Sequence, residues 1–231
     1  MLACLLLGAL SPALLVDSVF ARQAWVAARV CSLSYRAEYR YVEEDRRSGR
    51  RQELRCTRRV SMAGYENQRH DFERVLRDGR ELSGEEMQRA IRDLESKGLV
   101  AGKTRMPFLV ETRAEYRYRL LGGRLLGGRP VWLLGFEPVR ASDRHVRGRA
   151  FILADNWDIA RLEFRPARVP FVVKEMELAL DYEPVGEYWL PVRFRFELEL
   201  WLHVVARLLD RHITIEDDYS DFRLFGPGGA Q

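Results

Sequence analysis

A period of two runs through most of this chain. Between Val172 and Leu202, Met176, Leu178, Leu180 and Tyr182 share one parity, and Leu190, Val192, Phe194, Phe196, Leu198, Leu200 and Leu202 continue it. Glu175, Glu177, Asp181, Arg193, Arg195, Glu197 and Glu199 take the other parity. Such alternation predicts antiparallel strands whose two faces meet different environments. Pro184, Val185, Gly186 and Glu187 break it where a hairpin must reverse. Arg/Glu pairs across the polar face would add only about 0 to 1 kcal/mol each. The apolar face is the informative one, because something must cover it or bind to it.

The same alternation predicts strands elsewhere. Leu33, Tyr35, Ala37, Tyr39 and Tyr41 oppose Arg36, Glu38 and Arg40; after a turn at Ser48 and Gly49, Leu54, Cys56, Val60 and Met62 oppose Glu53, Arg55, Thr57 and Arg59. A less regular strand from Phe72 to Leu76 ends in the turn signal Arg77-Asp78-Gly79-Arg80. The period then changes. Ser83-Gly84-Glu85-Glu86 reads as a capping box, and Met87, Ala90, Ile91 and Leu94 form a helical stripe that Gly98 would close. A second, short helix is expected near Gln23 to Val30. Later strands carry Tyr116, Tyr118 and Leu120, then Val131 to Phe136, then a tight hairpin of Gly148–Ala154 and Ile159–Phe164 around Asp155-Asn156-Trp157-Asp158. A last strand carries Ile213, Ile215, Tyr219, Phe222 and Phe225. The expected fold is mainly β (α+β): about ten antiparallel strands, curled by their twist into an incomplete barrel, with one or two helices covering the concave face.

The ends and the composition refine this picture. Leu2 to Val16 is an apolar run of signal-peptide length, and Ala21 offers a cleavage point, so residues 1–21 read as an export leader, 22–225 as one domain and 226–231 as a tail. No Lys or Arg precedes the run, which fits an uncleaved anchor or a displaced start. Cys4 falls inside it; Cys31 and Cys56 leave open either a disulfide or two free thiols. With 231 residues and a net charge of +4, most of the basic residues alternate with acids, and only Arg46, Arg47, Arg50 and Arg51 cluster, in a turn. A nucleic-acid partner is therefore not expected. The histidines His70, His145, His203 and His212 lack metal-ligand spacing, although a hairpin could bring His203 near His212. Glu216, Asp217 and Asp218 read as a solvated strand end. Ser32, Ser34 and Ser61 lack a nucleophile elbow, and no phosphate loop is written. No enzyme, cofactor or metal is expected.

One set of motifs, taken in order, resembles a known family. Gly128-Arg129-Pro130-Val131-Trp132 is followed by Gly148-Arg149-Ala150-Phe151 with Asp155-Asn156-Trp157-Asp158-Ile159-Ala160-Arg161, then by Tyr182-Glu183-Pro184-Val185 and Tyr188-Trp189-Leu190-Pro191, and finally by Tyr219-Ser220-Asp221-Phe222-Arg223. Together they resemble the periplasmic outer-membrane lipoprotein-sorting superfamily, the relatives of LolA, in an uncharacterised branch. The resemblance covers residues 112 to 223 by motif and Leu33 to Leu99 by strand order. It implies an exported periplasmic half barrel that encloses an apolar cavity for lipid or lipoprotein acyl chains. The cavity would be lined by Tyr39, Tyr116, Tyr118, Met176, Leu178, Leu180, Phe194, Phe196 and Leu198, with Met87, Ile91 and Leu94 on a lid helix. Periodicity alone equally allows a filled core, and with it a structural or protein-interaction module of the envelope that binds a partner by strand addition.

Overall fold

The computed structural model describes residues 11–63, 67–96, 104–204, 207–227 and 229–230, with backbone alone at 67, 95–96, 202–204, 207–209 and 229–230. Leu2 to Leu10, Cys4 and Gly98 lie outside the described residues. In chain order the elements are α1 (Pro12–Arg29), β1 (Ser32–Asp45), β2 (Arg50–Ala63), β3 (Asn67–Arg77), β4 (Arg80–Glu81), α2 (Gly84–Ser96), β5 (Tyr116–Leu126), β6 (Arg129–Pro138), β7 (Val146–Leu153), β8 (Ile159–Pro166), β9 (Val173–Val185), β10 (Tyr188–Val204), β11 (Arg207–Gly226) and β12 (Gly229–Ala230). A 3-10 turn, Val110–Glu115, leads into β5.

The strands make one unclosed sheet in the order β4-β3-β2-β1-β11-β10-β9-β8-β7-β6-β5, with β12 on β11. The described residues are thus mainly antiparallel β with two α-helices, as the alternation predicts. Each expected hairpin reverses where its turn residues stand. Gly186, for example, takes φ +62° between β9 and β10, a conformation that a β-carbon disfavours. The expected tail is partly used, since Ala230 pairs back onto Phe225.

The residues divide into two compact units, to both of which β9 and β10 contribute. The first comprises residues 1–29, 104–169 and 179–191. Its helix starts well before the expected short helix. Ser11 caps it, with its hydroxyl accepting from the Leu14 N–H at 3.1 Å, and Pro12 follows at the first helical position. The helix continues without a break through Ala21, the expected cleavage point, and buries Leu15, Val16, Val19, Phe20 and Val26 along one stripe. Phe20 sits 5.8 Å from Tyr118 and 6.2 Å from Phe108. The next turn of α1 is tied by charge. Arg22 Nε donates to Asp158 Oδ1 at 2.8 Å, its Nη2 donates to the Glu187 carbonyl at 2.9 Å, and Asp158 is only 1% exposed. Val131, Phe151, Leu153 and Ala160 form a further core cluster against Trp189. Gly148 permits β7 and β8 to approach, because a β-carbon there would collide with the Glu163 carbonyl and stand 2.7 Å from the Phe164 α-carbon.

The second unit comprises residues 30–103, 170–178 and 192–231. Its core gathers Tyr39, Tyr41, Cys56, Val75 and Ile215 from the sheet with Leu82, Ala90, Ile91 and Leu94 from α2 and its approach. Here α2 matches the expected stripe. Its first turn departs from the expected capping box, since the Glu86 carboxylate is taken by Arg80 at 2.9 and 3.2 Å. Cys31 is exposed and Cys56 buried, both as free thiols. Cys56 faces Tyr39 in β1, eight residues along the strand from Cys31, roughly 26 Å, far beyond disulfide reach.

Candidate ligand-binding face

In the second unit, register brings one face of five strands together row by row. Phe194 of β10 lies opposite Asp217 of β11, Asp217 opposite Tyr39 of β1, Tyr39 opposite Cys56 of β2 and Cys56 opposite Val75 of β3. The row on one side reads Phe196, Ile215, Tyr41 and Leu54; the row on the other reads Tyr219, Ala37, Arg58 and Phe72. All of these positions share a face because side chains alternate along a strand and neighbouring strands keep step. The face is apolar save for two charges at its centre.

Those charges form a buried ion pair. Arg58 Nη2 donates to Asp217 Oδ2 at 2.5 Å, with side chains 11% and 7% exposed. The pair is diagonal across β1. It closes there because the residue between Arg58 and Tyr219 is Ala37, whose single methyl leaves room for the guanidinium. Arg58 also lies 5.4 Å from the Tyr39 ring centroid, and its Nη1 reaches Cys56 Sγ at 3.7 Å. Burial pushes the Asp217 carboxyl above the usual carboxylate range, against the pull of Arg58 and of the Tyr219 hydroxyl. Burial works against the Arg58 charge too, but Asp217 and Cys56 beside it together more than offset that and hold it protonated. Burial and the nearby Asp217 push the Tyr35 phenol up to about 12.

Two polar atoms on this face are unmet. Tyr39 Oη and Asp217 Oδ1 are buried and have no hydrogen-bond partner among the described residues. The neighbouring Tyr41 hydroxyl, by contrast, donates to Glu43 Oε2 at 2.7 Å. Each unmet buried group costs about 1 to 3 kcal/mol, and a buried ion pair is no compensating source of stability. A cost of this kind in the middle of a core asks for a functional reason.

The expected site residues fall out as follows. Tyr39, Phe194 and Phe196 come together on this face, and Phe194 and Phe196 pack on the same cluster as the α2 residues Met87, Ile91 and Leu94. Leu198 pairs with Ile213, which packs there as well. Met176 and Leu178 are half-buried in β9 within the same unit, while Leu180 belongs to the first unit. Tyr116 and Tyr118 also belong to the first unit, in an aromatic cluster with Phe20, Phe108 and Phe136. Their hydroxyls are met: Tyr116 Oη donates to the Arg105 carbonyl at 2.5 Å and accepts from the Val146 N–H at 3.2 Å, and Tyr118 donates to the Pro107 carbonyl.

The acidic run needs correction: its central residue, Asp217, is buried, because it falls in step with Ile213, Ile215 and Tyr219, whereas Asp218 faces out and pairs with Arg193. Parity also carried the signal for Arg58, which stands in phase with Leu54, Cys56, Val60 and Met62. His145 ends a turn, half-buried, and is held by Ser142 at 2.6 Å and Glu115 at 3.0 Å. The β10–β11 register pairs His203 with Leu208 and His212 with Glu199, so the hairpin does not set the two histidines opposite each other. Among the described residues no helix is long and apolar enough to cross a membrane, and no group of three or more ligating side chains could hold a metal.

No protein-family profile and no curated protein matches this chain. Among solved structures it is similar to a DUF1329 family protein from Desulfovibrio piger, at 12% identity and a TM-score of 0.44 over 92% of each chain. It is also similar to a LolA superfamily protein from Nitrosomonas europaea, at 10% identity and a TM-score of 0.41 over 94% of each chain. A third similar structure is an outer membrane lipoprotein-sorting protein domain from Vibrio parahaemolyticus, at 11% identity and a TM-score of 0.42, covering 94% of this chain and 93% of that one. None of these likenesses assigns a ligand to this chain.

Proposed function

We propose that this protein is an exported, non-catalytic envelope protein that holds an apolar ligand, the acyl chain of a lipid or of an acylated protein, on the face of the second unit covered by α2. The observation that supports this reading is the row Phe194, Asp217, Tyr39, Cys56 and Val75, an apolar face that keeps unmet polar atoms at its centre under a short helix. An ordinary filled core has no use for such atoms. A sheet face with a displaceable cover does, because a ligand can meet them. Met87, Ile91 and Leu94 would form the lid surface, and lifting α2 would expose the face for loading. Each methylene of a chain buried there would contribute about 0.8 kcal/mol, before the cost of association. In this proposal the protein works in the periplasm with α1 kept in the folded chain, since Leu15, Val19 and Phe20 pack into the first unit.

A second reading has its own support. Among the described residues, strand β5 ends the strand order, pairs on one side only with β6, and exposes Leu121 and Leu125. Such an edge suits strand addition by a protein partner. Native mass spectrometry of the protein purified from an envelope fraction, followed by organic extraction, separates the two. A bound acyl species of one per chain is expected, and Phe194→Asp in a folded protein should abolish it. A clean apo mass with a protein partner in its place would favour the edge.

A further inference from the structure

The unmet atoms on the α2-covered face have a chemistry of their own, and what they select rests on the acyl-binding reading above. Tyr39 and Asp217 stand directly opposite each other on adjacent strands and are 4% and 5% exposed. Asp217 Oδ1 can only accept a hydrogen bond while the carboxylate is ionised, whereas Tyr39 Oη can donate one. The charge at this point is already balanced, because Arg58 is spent on Asp217 Oδ2. An anionic head group would therefore meet the second oxygen of a carboxylate, and an ammonium would meet a guanidinium next to its partner. Neither charge is favoured in so dry a place. What fits is a neutral group with an O–H or N–H to give and an oxygen to receive. In the first unit Asp158 also leaves Oδ2 unmet, but the Tyr116 and Tyr118 hydroxyls there are bonded, so neither of those tyrosines offers it a matching neutral donor.

We infer that Tyr39 Oη and Asp217 Oδ1 form a polar anchor for an uncharged amphipathic ligand, in which a hydroxyl or amide hydrogen and a nearby oxygen stand at the end of an acyl chain. The hydrogen goes to Asp217 and the oxygen receives the Tyr39 O–H. Phe194, Phe196 and Leu198 line the path of the chain, and displacement of α2 uncovers the pair. Glyceryl esters and N-acyl amides share this chemistry.

The test is displacement of a bound fluorescent acyl probe by 1-oleoylglycerol, oleamide or oleate, at a pH where oleate is ionised. In the wild-type protein one of the two neutral ligands should compete at a concentration about tenfold below that of oleate, and whichever is stronger names the ester or the amide as the source. Tyr39→Phe keeps the ring, should melt at or above the wild-type temperature, and should shrink that preference to about twofold or less. Oleate competing as well as both neutral ligands overturns the anchor, as does a preference unchanged in Tyr39→Phe; in either case acyl binding itself stands. A Tyr39→Phe variant that melts well below wild type shows that the hydroxyl is already satisfied and overturns the anchor too. Failure of any acyl probe to bind removes the acyl-binding reading, and the anchor with it.

Discussion

Each compact unit sets tyrosines in a core to which its helix contributes side chains, and the two differ in what happens to the hydroxyls. In the first unit, Tyr116 and Tyr118 reach backbone groups around the 3-10 turn, and the 18-residue helix α1 is bound by five buried side chains and the Arg22–Asp158 tie. The hydroxyls of that aromatic cluster are satisfied, although Asp158 Oδ2 in the same unit is not. In the second unit, among the described residues, the Tyr39 hydroxyl finds no hydrogen-bond partner and Asp217 leaves Oδ1 unmet, beneath the 13-residue helix α2, which buries Ala90, Ile91 and Leu94. The comparison teaches that aromatic content is common to both regions and that what separates them is whether the hydroxyls among the aromatics are satisfied; in the proposed function that difference marks the ligand face.

The contrast can be broken most sharply at Arg58. Arg58→Met alone leaves Asp217 buried without its counter-charge and should cost about 3 to 5 kcal/mol, measured by denaturant unfolding. Adding Asp217→Leu should recover most of that loss, because an apolar pair has no desolvation to repay; a double variant as unstable as the single would show that the pair is structurally required. Leu15→Ala comes next, at about 2 to 5 kcal/mol, since the side chain is wholly buried at 0% exposure. A stability unchanged by that substitution would detach α1 from the first unit's core. The hydroxyls give a smaller and more pointed effect. Tyr116→Phe should destabilise by about 1 to 3 kcal/mol by orphaning the Arg105 carbonyl and the Val146 N–H, while Tyr39→Phe should be neutral or stabilising. Equal losses would erase the distinction between the two regions.

The smallest effect is a pH dependence of opposite sign at two carboxylates of the second unit. Glu199, bonded by Lys174 and Arg46, is lowered to about 2, so its contribution is full above its ordinary value near 4.5 and is lost as pH falls through about 2. Asp217 is raised by burial, so stability linked to its proton is present below its ordinary value of 3.8 and lost as pH rises through its folded value. Acid titration of Glu199→Gln beside wild type should therefore show a gap that closes toward pH 2, whereas a gap independent of pH would put the loss down to packing.

Much of this was legible in the sequence. Alternation placed the β1–β2, β7–β8 and β9–β10 hairpins, because a strand with one buried face writes its register in parity. The stripe Met87, Ala90, Ile91 and Leu94 gave α2 and the side it turns to the sheet. The start of α1 was harder, since an apolar run before Ala21 looks the same whether it is a leader or the buried side of a helix. The start of the helix itself is signalled only by the Ser11–Pro12 cap, two residues long. At the site, Phe194, Phe196 and Tyr39 follow from parity, but Arg58 and Asp217 look like members of charge runs that face water. Their phase contradicts that look. Which of the two signals wins depends on Ala37 making space on the strand between them, a fact of register across β11, β1 and β2 that no local window contains.

The most direct test of the central claim is photo-crosslinking with a diazirine-bearing acyl probe, followed by mapping of the labelled peptides. Labels concentrated on Phe194, Phe196 and Leu198 in β10 and on Met87, Ile91 and Leu94 in α2 are the predicted result. Labels confined to exposed positions such as Leu125 and Phe171, with the α2-covered face unmarked, would contradict it.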